Sequence, residues 1–373
     1  MSMETHGPDA RLRVLITGGA GFLGHALVRE LLREDDPVLR PTLLRVLDLH
    51  PERLELPEPH TGTTRIELVT GDVRSFADVR RACQEIDLVL HAAALVDWGR
   101  QPDALLQQVN VGGTENVLRA CVEAGVRALV HTSTLDVVYR GEPIEDGDES
   151  LSYPPHFVNT YCRTKADAER LVLAANDSEG ELRTTVIRPC SIFGERDPYH
   201  VPPLLEMARR GLLFRVGNGK SRSQHVYVGN VAHAHLLAAR SLLQRGQAAG
   251  EAYFVTDFPA QNFFDFLEPI VNAAGYRMLP WWLSIPRPVM YGLGCVLEGA
   301  AHLLRPVVRF NPTVTRFAAD FVCLDFTFVS DKARRELGYA PVYDEEQAFA
   351  RTIEYFRARN GGAPLECGAE RAK

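Results

Sequence analysis

Thr17-Gly18-Gly19-Ala20-Gly21-Phe22-Leu23-Gly24 is the stretch on which the reading of this 373-residue chain turns. Upstream of it, Arg13 to Thr17 is a short apolar run with the character of a strand. Downstream, Leu23, Ala26, Leu27 and Leu31 fall on one face of a helix over Phe22 to Leu32. A glycine-rich turn that leaves a strand and opens a helix is a pyrophosphate cradle. Gly18 allows the tight turn, Gly21 lets the backbone approach the phosphates, and Gly24 permits close packing of helix on strand. The helix N-terminus then presents free N–H groups and the positive end of its dipole. A glycine turn without a ligand is the plain alternative.

Working outward, strands are expected at Leu43 to Leu47, Ile66 to Val69, Leu88 to His91, Ala128 to Thr132 and Thr184 to Ile187. Helices are expected over Leu105 to Ala124 and Thr160 to Ala175. This alternation implies an α/β fold, a Rossmann-type doubly wound parallel sheet with a smaller C-terminal α/β substrate-binding cap. The expected division places residues 10–197 in the dinucleotide-binding domain, with 224–245 returning to it. Residues 198–223 and 246–360 form the cap, and 361–373 a flexible tail.

Composition narrows the function classes. Charged residues make up 24% and the formal net charge is -7, which argues against nucleic acid as a partner. The seven cysteines are scattered without zinc-ligand or C-x-x-C spacing, so no metal is expected and reduced thiols fit best. Met1 to Arg13 lacks an apolar run, which gives a cytoplasmic expectation. Leu279 to Leu304 is the most apolar stretch, interrupted by prolines, Arg287, Glu298 and His302. A membrane-spanning helix needs about 20 predominantly apolar residues. A membrane-surface helix, the wall of an apolar pocket or plain domain core remain as readings of it.

The second strand ends at Asp48, where a carboxylate can accept from both ribose hydroxyls and repel a 2′-phosphate, favouring NAD over NADP. Helix capping is the simpler role for Asp48, and nearby Arg45 could instead meet a 2′-phosphate. Tyr161-Cys162-Arg163-Thr164-Lys165 sets Tyr161 and Lys165 one helical turn apart. A phenol of pKa about 10 is a poor base near neutrality. A lysine ammonium and the positive nicotinamide both favour its phenolate, which can then take the proton of a secondary alcohol. The polar strand end His131-Thr132-Ser133-Thr134 offers hydroxyls to orient the substrate oxygen, Ser133 and Thr134 being the candidates.

The G-x-x-G-x-x-G spacing resembles that of extended short-chain dehydrogenases. That resemblance implies that Asp72 bonds the adenine amino group, that Val73 packs on the ring and that Ala92, Ala93 and Ala94 leave room for the cofactor. It also implies that Thr134 takes the family's serine/threonine position, with Ser133 its close competitor. By the same resemblance Asn110 takes a supporting role, an ordinary polar helix residue being its plain alternative, and Pro189 and Ile192 are candidate contacts to the nicotinamide carboxamide. Arg188 reads equally as a surface or ion-pair residue.

Val226-Tyr227-Val228-Gly229-Asn230-Val231-Ala232-His233-Ala234-His235, Gly250 to Phe254, Leu303-Leu304-Arg305-Pro306 and Phe326-Thr327-Phe328 narrow the resemblance. These stretches resemble the 3β-hydroxysteroid dehydrogenase/Δ5-isomerase family over about residues 12 to 357. The resemblance implies NAD-dependent oxidation of a 3β-hydroxyl on a steroid or sterol, coupled in some members to isomerisation and in others to 4-decarboxylation. It also associates residues 279–304 with peripheral membrane attachment and steroid access. A homodimer is the expected assembly. A long-chain 3-oxoacyl reductase is the alternative activity, and a non-catalytic dinucleotide-binding sensor the rival from another class. An isomerase step needs a second acid/base group, which no sequence pattern places.

Overall fold

The computed structural model describes residues 12–56, 63–97, 101–177, 182–244, 247–304 and 314–360. The expected flexible tail, 361–373, lies outside them. In chain order the first half runs β1 (Leu12–Thr17), α1 (Phe22–Arg33), β2 (Pro41–Asp48), β3 (Arg65–Thr70), α2 (Phe76–Ala82), β4 (Leu88–His91), α3 (Asp103–Leu106), α4 (Gly113–Ala124), β5 (Ala128–Thr132) and β6 (Ile144–Gly147). It continues with α5 (Thr160–Ala174), β7 (Arg183–Pro189), β8 (Ser191–Phe193), α6 (Val201–Arg209), β9 (His225–Tyr227), α7 (Val228–Gln244) and β10 (Ala252–Val255). The remainder is α8 (Phe263–Ala273), α9 (Arg287–Leu304), α10 (Arg316–Cys323), β11 (Phe326–Phe328), α11 (Asp331–Leu337) and α12 (Glu345–Asn360).

Seven parallel strands form the central sheet in the order β3-β2-β1-β4-β5-β7-β10. Both faces of this sheet are covered, which is why its strands are apolar runs rather than alternating ones. Along β1, Val14 and Ile16 enter one core with Leu27 and Leu31 of α1 and Val231 and Ala234 of α7. Leu15 enters the other, with Val79 of α2 and Val117 and Cys121 of α4. The order in which strands are added reverses between β1 and β4, and the open crevice of a doubly wound sheet lies at such a switch point.

Two expectations about the division need correction. Residues 252–255, assigned to the cap, are β10, the edge strand of the main sheet, in register with Val186 to Pro189. Of residues 224–245, α7 returns to the sheet but β9 does not; it pairs with β8 in a separate two-stranded ribbon. A four-residue strand such as Ala252–Val255 carries no local mark of its partner, so its assignment depends on long-range pairing. The expected helix from Leu105 to Ala124 is broken by a π-helical turn, Gln107–Gly112, between α3 and α4. A further ribbon, β6 with β11, ties the first half of the chain to the C-terminal region.

Candidate active site

A cavity of about 450 Å³ opens at the switch point, lined by the glycine turn, the ends of β2, β4, β5 and β7, and side chains of α5 and the C-terminal region. Every site residue expected from the sequence lines it except Asn110.

The turn is built of glycine for three different local reasons. Gly18 has φ +71°, and a Cβ on it would lie 2.8 Å from the Ala93 backbone. A Cβ on Gly24 would lie 2.1 Å from the Gly18 carbonyl oxygen, so α1 seats directly on the turn. At Gly21 the nearest atom is the Gly18 carbonyl oxygen at 3.1 Å, which leaves that backbone open to the cavity. Gly21 is also the N-cap of α1, where no side chain caps the first-turn N–H groups and no acidic residue competes for them. An uncapped helix end beside a cradle that a side chain would fill fits a pyrophosphate.

The Asp48 carboxylate accepts from Ala20 N (3.1 Å) and His50 N (2.9 Å), one bond to each oxygen, so each keeps a lone pair. Arg45, which the sequence offers for a 2′-phosphate, is spent elsewhere. Its guanidinium donates to Glu67 at 2.8 Å and to the carbonyls of Ala82 and Gln84 at 2.8 and 2.7 Å. Asp72 is held by Arg74, whose Nη2 is 2.5 Å away. Burial works against its charge, but the Arg74 hydrogen bonds outweigh it and keep the carboxyl below the usual range. Val73 packs where Gly113 leaves space, since a Cβ there would lie 2.8 Å from Val73 Cγ2.

Tyr161 and Lys165 lie in the first two turns of α5, whose N-cap Asn159 accepts from Cys162 N at 2.8 Å. Both are buried. Lys165 Nζ donates to the Thr132 carbonyl at 2.7 Å and faces His131 Nε2 at 3.4 Å. Burial pulls the ammonium down to about 8, against the attraction of Glu169. The Tyr161 phenol behaves differently from the sequence expectation. Burial pushes it well above its ordinary value, the charge of Asp136 adds to this, and an interaction with the Thr134 hydroxyl opposes it. The chain's own groups therefore hold the proton on Tyr161.

The two candidate hydroxyls have different partners. Ser133 donates to the buried carboxylate of Glu169, which also accepts from Tyr153 at 2.7 Å and from Arg188 Nε at 3.0 Å. Arg188 is thus a member of a buried ion pair, which settles its sequence-level ambiguity. Thr134 caps the 3-10 turn Leu135–Val138, accepting from Asp136 N (3.2 Å) and donating to Asp136 Oδ2 (2.9 Å). Asn110 stands behind the wall. It accepts from Leu95 N at 2.8 Å and donates to Leu95 O and Thr164 Oγ1 at 3.1 and 3.2 Å, clamping the loop after β4.

Sequence reasoning missed Asp136, Tyr199, His200 and Phe321, all of which line the cavity. Asp136 had a local signal, a hydroxyl two residues before an acid, a pairing that favours side-chain-capped turns. The others arrive from distant segments. Burial pushes the Asp136 carboxyl up to about 6, against the Thr134 bond and the charge of His200. Leu95, Val96, Leu105, Leu135 and Phe321 make the rest of this side apolar.

With that geometry in place, the chain can be set beside known proteins. The model of the 3-beta hydroxysteroid dehydrogenase/isomerase family matches residues 15–286. The 3beta-hydroxysteroid-dehydrogenase/decarboxylase isoform 1 of Arabidopsis thaliana is 36% identical over 355 residues, covering 92% of this chain and 79% of that protein. The 3 beta-hydroxysteroid dehydrogenase type 7 of Homo sapiens is 36% identical over 374 residues, covering 95% and 98%. Among solved structures, the Thermus thermophilus UDP-glucose 4-epimerase complex with NAD aligns with a TM-score of 0.67 at 25% identity, over 93% of this chain and 99% of that one.

Proposed function

The chain belongs to the 3-beta hydroxysteroid dehydrogenase/isomerase family, and from that membership we propose that it oxidises the 3β-hydroxyl of a steroid or sterol to the 3-ketone. It is an oxidoreductase, and its cofactor is NAD. The observation that carries the reading is one continuous cavity with the uncapped end of α1 at one end and Tyr161, Lys165 and Thr134 on its wall.

The first-turn N–H groups of α1 hold the pyrophosphate, and Asp48 accepts from the adenosine ribose. NAD when bound supplies a hydride acceptor and a positively charged ring. Lys165, fixed by the Thr132 carbonyl, binds the nicotinamide ribose, and Pro189 and Ile192 form the wall at that end. The positive ring of bound NAD would favour the phenolate against the burial that holds the proton on Tyr161, and as phenolate Tyr161 takes the hydroxyl proton of the substrate, while the remaining lone pair of Thr134 faces the same oxygen. Leu95, Val96, Leu105 and Phe321 contact a flat apolar skeleton. Isomerisation or 4-decarboxylation as a coupled step is to be read from the products.

The decisive assay is a panel of 3β-hydroxysteroids, sterol 4-carboxylates and 3-hydroxyacyl acids with NAD and with NADP, following cofactor reduction. Oxidation of the first two classes with NAD supports the reading. Turnover confined to hydroxyacyl acids favours the 3-oxoacyl alternative, and NAD binding without turnover favours the sensor.

Two further readings accompany this one. Val289, Leu293, Val296 and Leu303 recur along one face of α9 and are exposed, and Trp281 and Trp282 beside them are 74% and 68% exposed. No helix among the described residues is long and apolar enough to cross a membrane. This face rests on a bilayer surface, and Trp281→Ala with Trp282→Ala should reduce co-sedimentation with lipid vesicles. The assembly is a homodimer, tested by sedimentation in detergent-free buffer.

A further inference from the structure

Three histidines are buried about the ends of β4 and β5, and two of them have both ring nitrogens engaged. Thr114 gives its hydroxyl proton to the Asn110 carbonyl at 2.6 Å, so His91 Nε2 donates to it at 3.0 Å and the bare His91 Nδ1 accepts from Thr17 at 2.7 Å. His235 Nδ1 donates to the Val231 carbonyl at 2.8 Å, so its Nε2 accepts from the Thr132 hydroxyl at 2.8 Å. His131 differs. Its ring lies 5.0 Å from that of His91, which has nothing left to offer it. Its Nδ1 has no partner among the described residues, and the one polar contact of the ring there is Lys165 Nζ, 3.4 Å from Nε2.

We infer that His131 is a positioning residue for Lys165: its bare Nε2 takes one hydrogen of the ammonium, the Thr132 carbonyl takes a second at 2.7 Å, and the third is left for the cofactor ribose. The inference rests on Lys165 being the group that holds that ribose. An ammonium has three hydrogens and no acceptor. Two acceptors supplied by β5 fix its rotation about the last bond of the side chain, so the third hydrogen keeps one direction. The Thr132 carbonyl is itself steadied, because the hydroxyl of the same residue is tied to His235. Lys165 lines the cavity and His131 does not, so the imidazole acts on the reaction only through the lysine.

The tautomer follows from the contact. A ring N–H facing an ammonium would set donor against donor, so the ring proton sits on Nδ1, buried and unanswered. An unpaired buried N–H costs stability, and an apolar side chain of similar bulk would fill the place without that cost. What the imidazole adds is an acceptor without a charge. Burial, with Lys165, His91 and His235 around it, holds His131 well below the ordinary histidine range, so it stays neutral wherever the lysine is charged. The titratable groups facing the pair are His91 on β4, Tyr161 one turn back and Glu169 one turn on along α5, and His235 on α7. Glu169 favours the ammonium through its charge. A carboxylate in the place of His131 would spend the lysine charge that the Tyr161 phenolate needs, whereas a neutral ring orients the ammonium and leaves that charge in force.

The experiment compares His131→Gln with His131→Met, side chains of similar length of which only the first offers an acceptor at the reach of Nε2. Both are measured by NAD titration calorimetry and by 3β-hydroxysteroid oxidation across pH. His131→Met should weaken NAD affinity and lower kcat by about tenfold each, the low end for a hydrogen bond to a charged group. The acid limb of kcat should also rise by on the order of one pH unit, because the phenolate is left with a less well placed cation. His131→Gln should stay near the wild type in all three. Equal losses in the two variants, or none in either, would overturn the inference, since packing alone would then account for the residue. Nitrogen NMR of the wild-type imidazole needs no variant enzyme to be active: Nδ1 should be protonated and Nε2 bare while Lys165 is charged, and a protonated Nε2 would overturn the inference as well. Lys165→Met separates the premise. It should lose more NAD affinity than His131→Met, and wild-type affinity there would remove the role that His131 supports.

Discussion

Replacing Glu169 by Gln tests how the floor of the site is held. Glu169 and Arg188 form an ion pair with side-chain exposures of 0% and 6%. Arg188 has no substitute acceptor: its Nη1 already lacks a partner among the described residues, and the rings of Tyr153 and Phe254 pack against the guanidinium. Glu169→Gln therefore leaves a buried cation unpaired and turns an amide N–H toward it. Breaking a buried pair from one side costs about 3–5 kcal/mol. At about 2.1 cal/mol/K per residue, unfolding 373 residues carries an entropy of roughly 0.8 kcal/mol/K, so Tm should fall by about 5 °C. Scanning calorimetry measures it directly. Adding Arg188→Met removes the stranded charge and should recover most of the loss. If the single variant loses under about 1 kcal/mol, like an exposed pair, the carboxylate is not the element that holds Arg188. Lys165 provides a second readout, because Glu169 favours its charge; without it the ammonium should titrate below about 8.

Three shorter predictions share this logic. Asp48→Ala should cut the preference for NAD over NADP by about tenfold or more in kcat/KM, since a repelled 2′-phosphate loses its opponent; an unchanged ratio would move the discrimination elsewhere. Gly21→Ala should weaken NAD affinity in titration calorimetry with little change in Tm, whereas Gly24→Ala, aimed 2.1 Å from a carbonyl oxygen, should lower Tm as well. Asp136→Asn should stabilise the protein at neutral pH. The native carboxyl sits at about 6 and an unfolded one near 3.8, so native Asp136 costs stability that appears as pH rises through that window. The gain at pH 7 should approach about 3 kcal/mol and vanish below about pH 4, checked by melting across pH.

Much of the fold was legible because its signals are local. Apolar runs flanked by turn residues mark β1 to β5 and β7, and an i, i+4 spacing puts Tyr161 and Lys165 on one face of α5. The glycine turn identifies itself because a strand precedes it and a helix follows. The C-terminal third was less legible. Its strands are three or four residues long, and β10, β9 and β11 differ only in which distant strand they meet.

The sequence by itself picked out the glycine turn, the Tyr161/Lys165 pair and the family, since each depends on residue types at fixed short spacings. Only the tertiary structure decided between neighbours with the same chemistry. Ser133 and Thr134 both offer a hydroxyl, but β5 ends with one turned to Glu169 and the next toward Asp136. Arg45 and Asp48 both lie on β2, yet the Arg45 guanidinium is consumed by Glu67, Ala82 and Gln84, and only Asp48 lines the cavity. Asn110 clamps a loop, and Asp136, Tyr199, His200 and Phe321 reach the cavity from separate segments. A side chain's hydrogen-bonding capacity is written in its formula, but who uses it depends on what folding brings within about 3 Å.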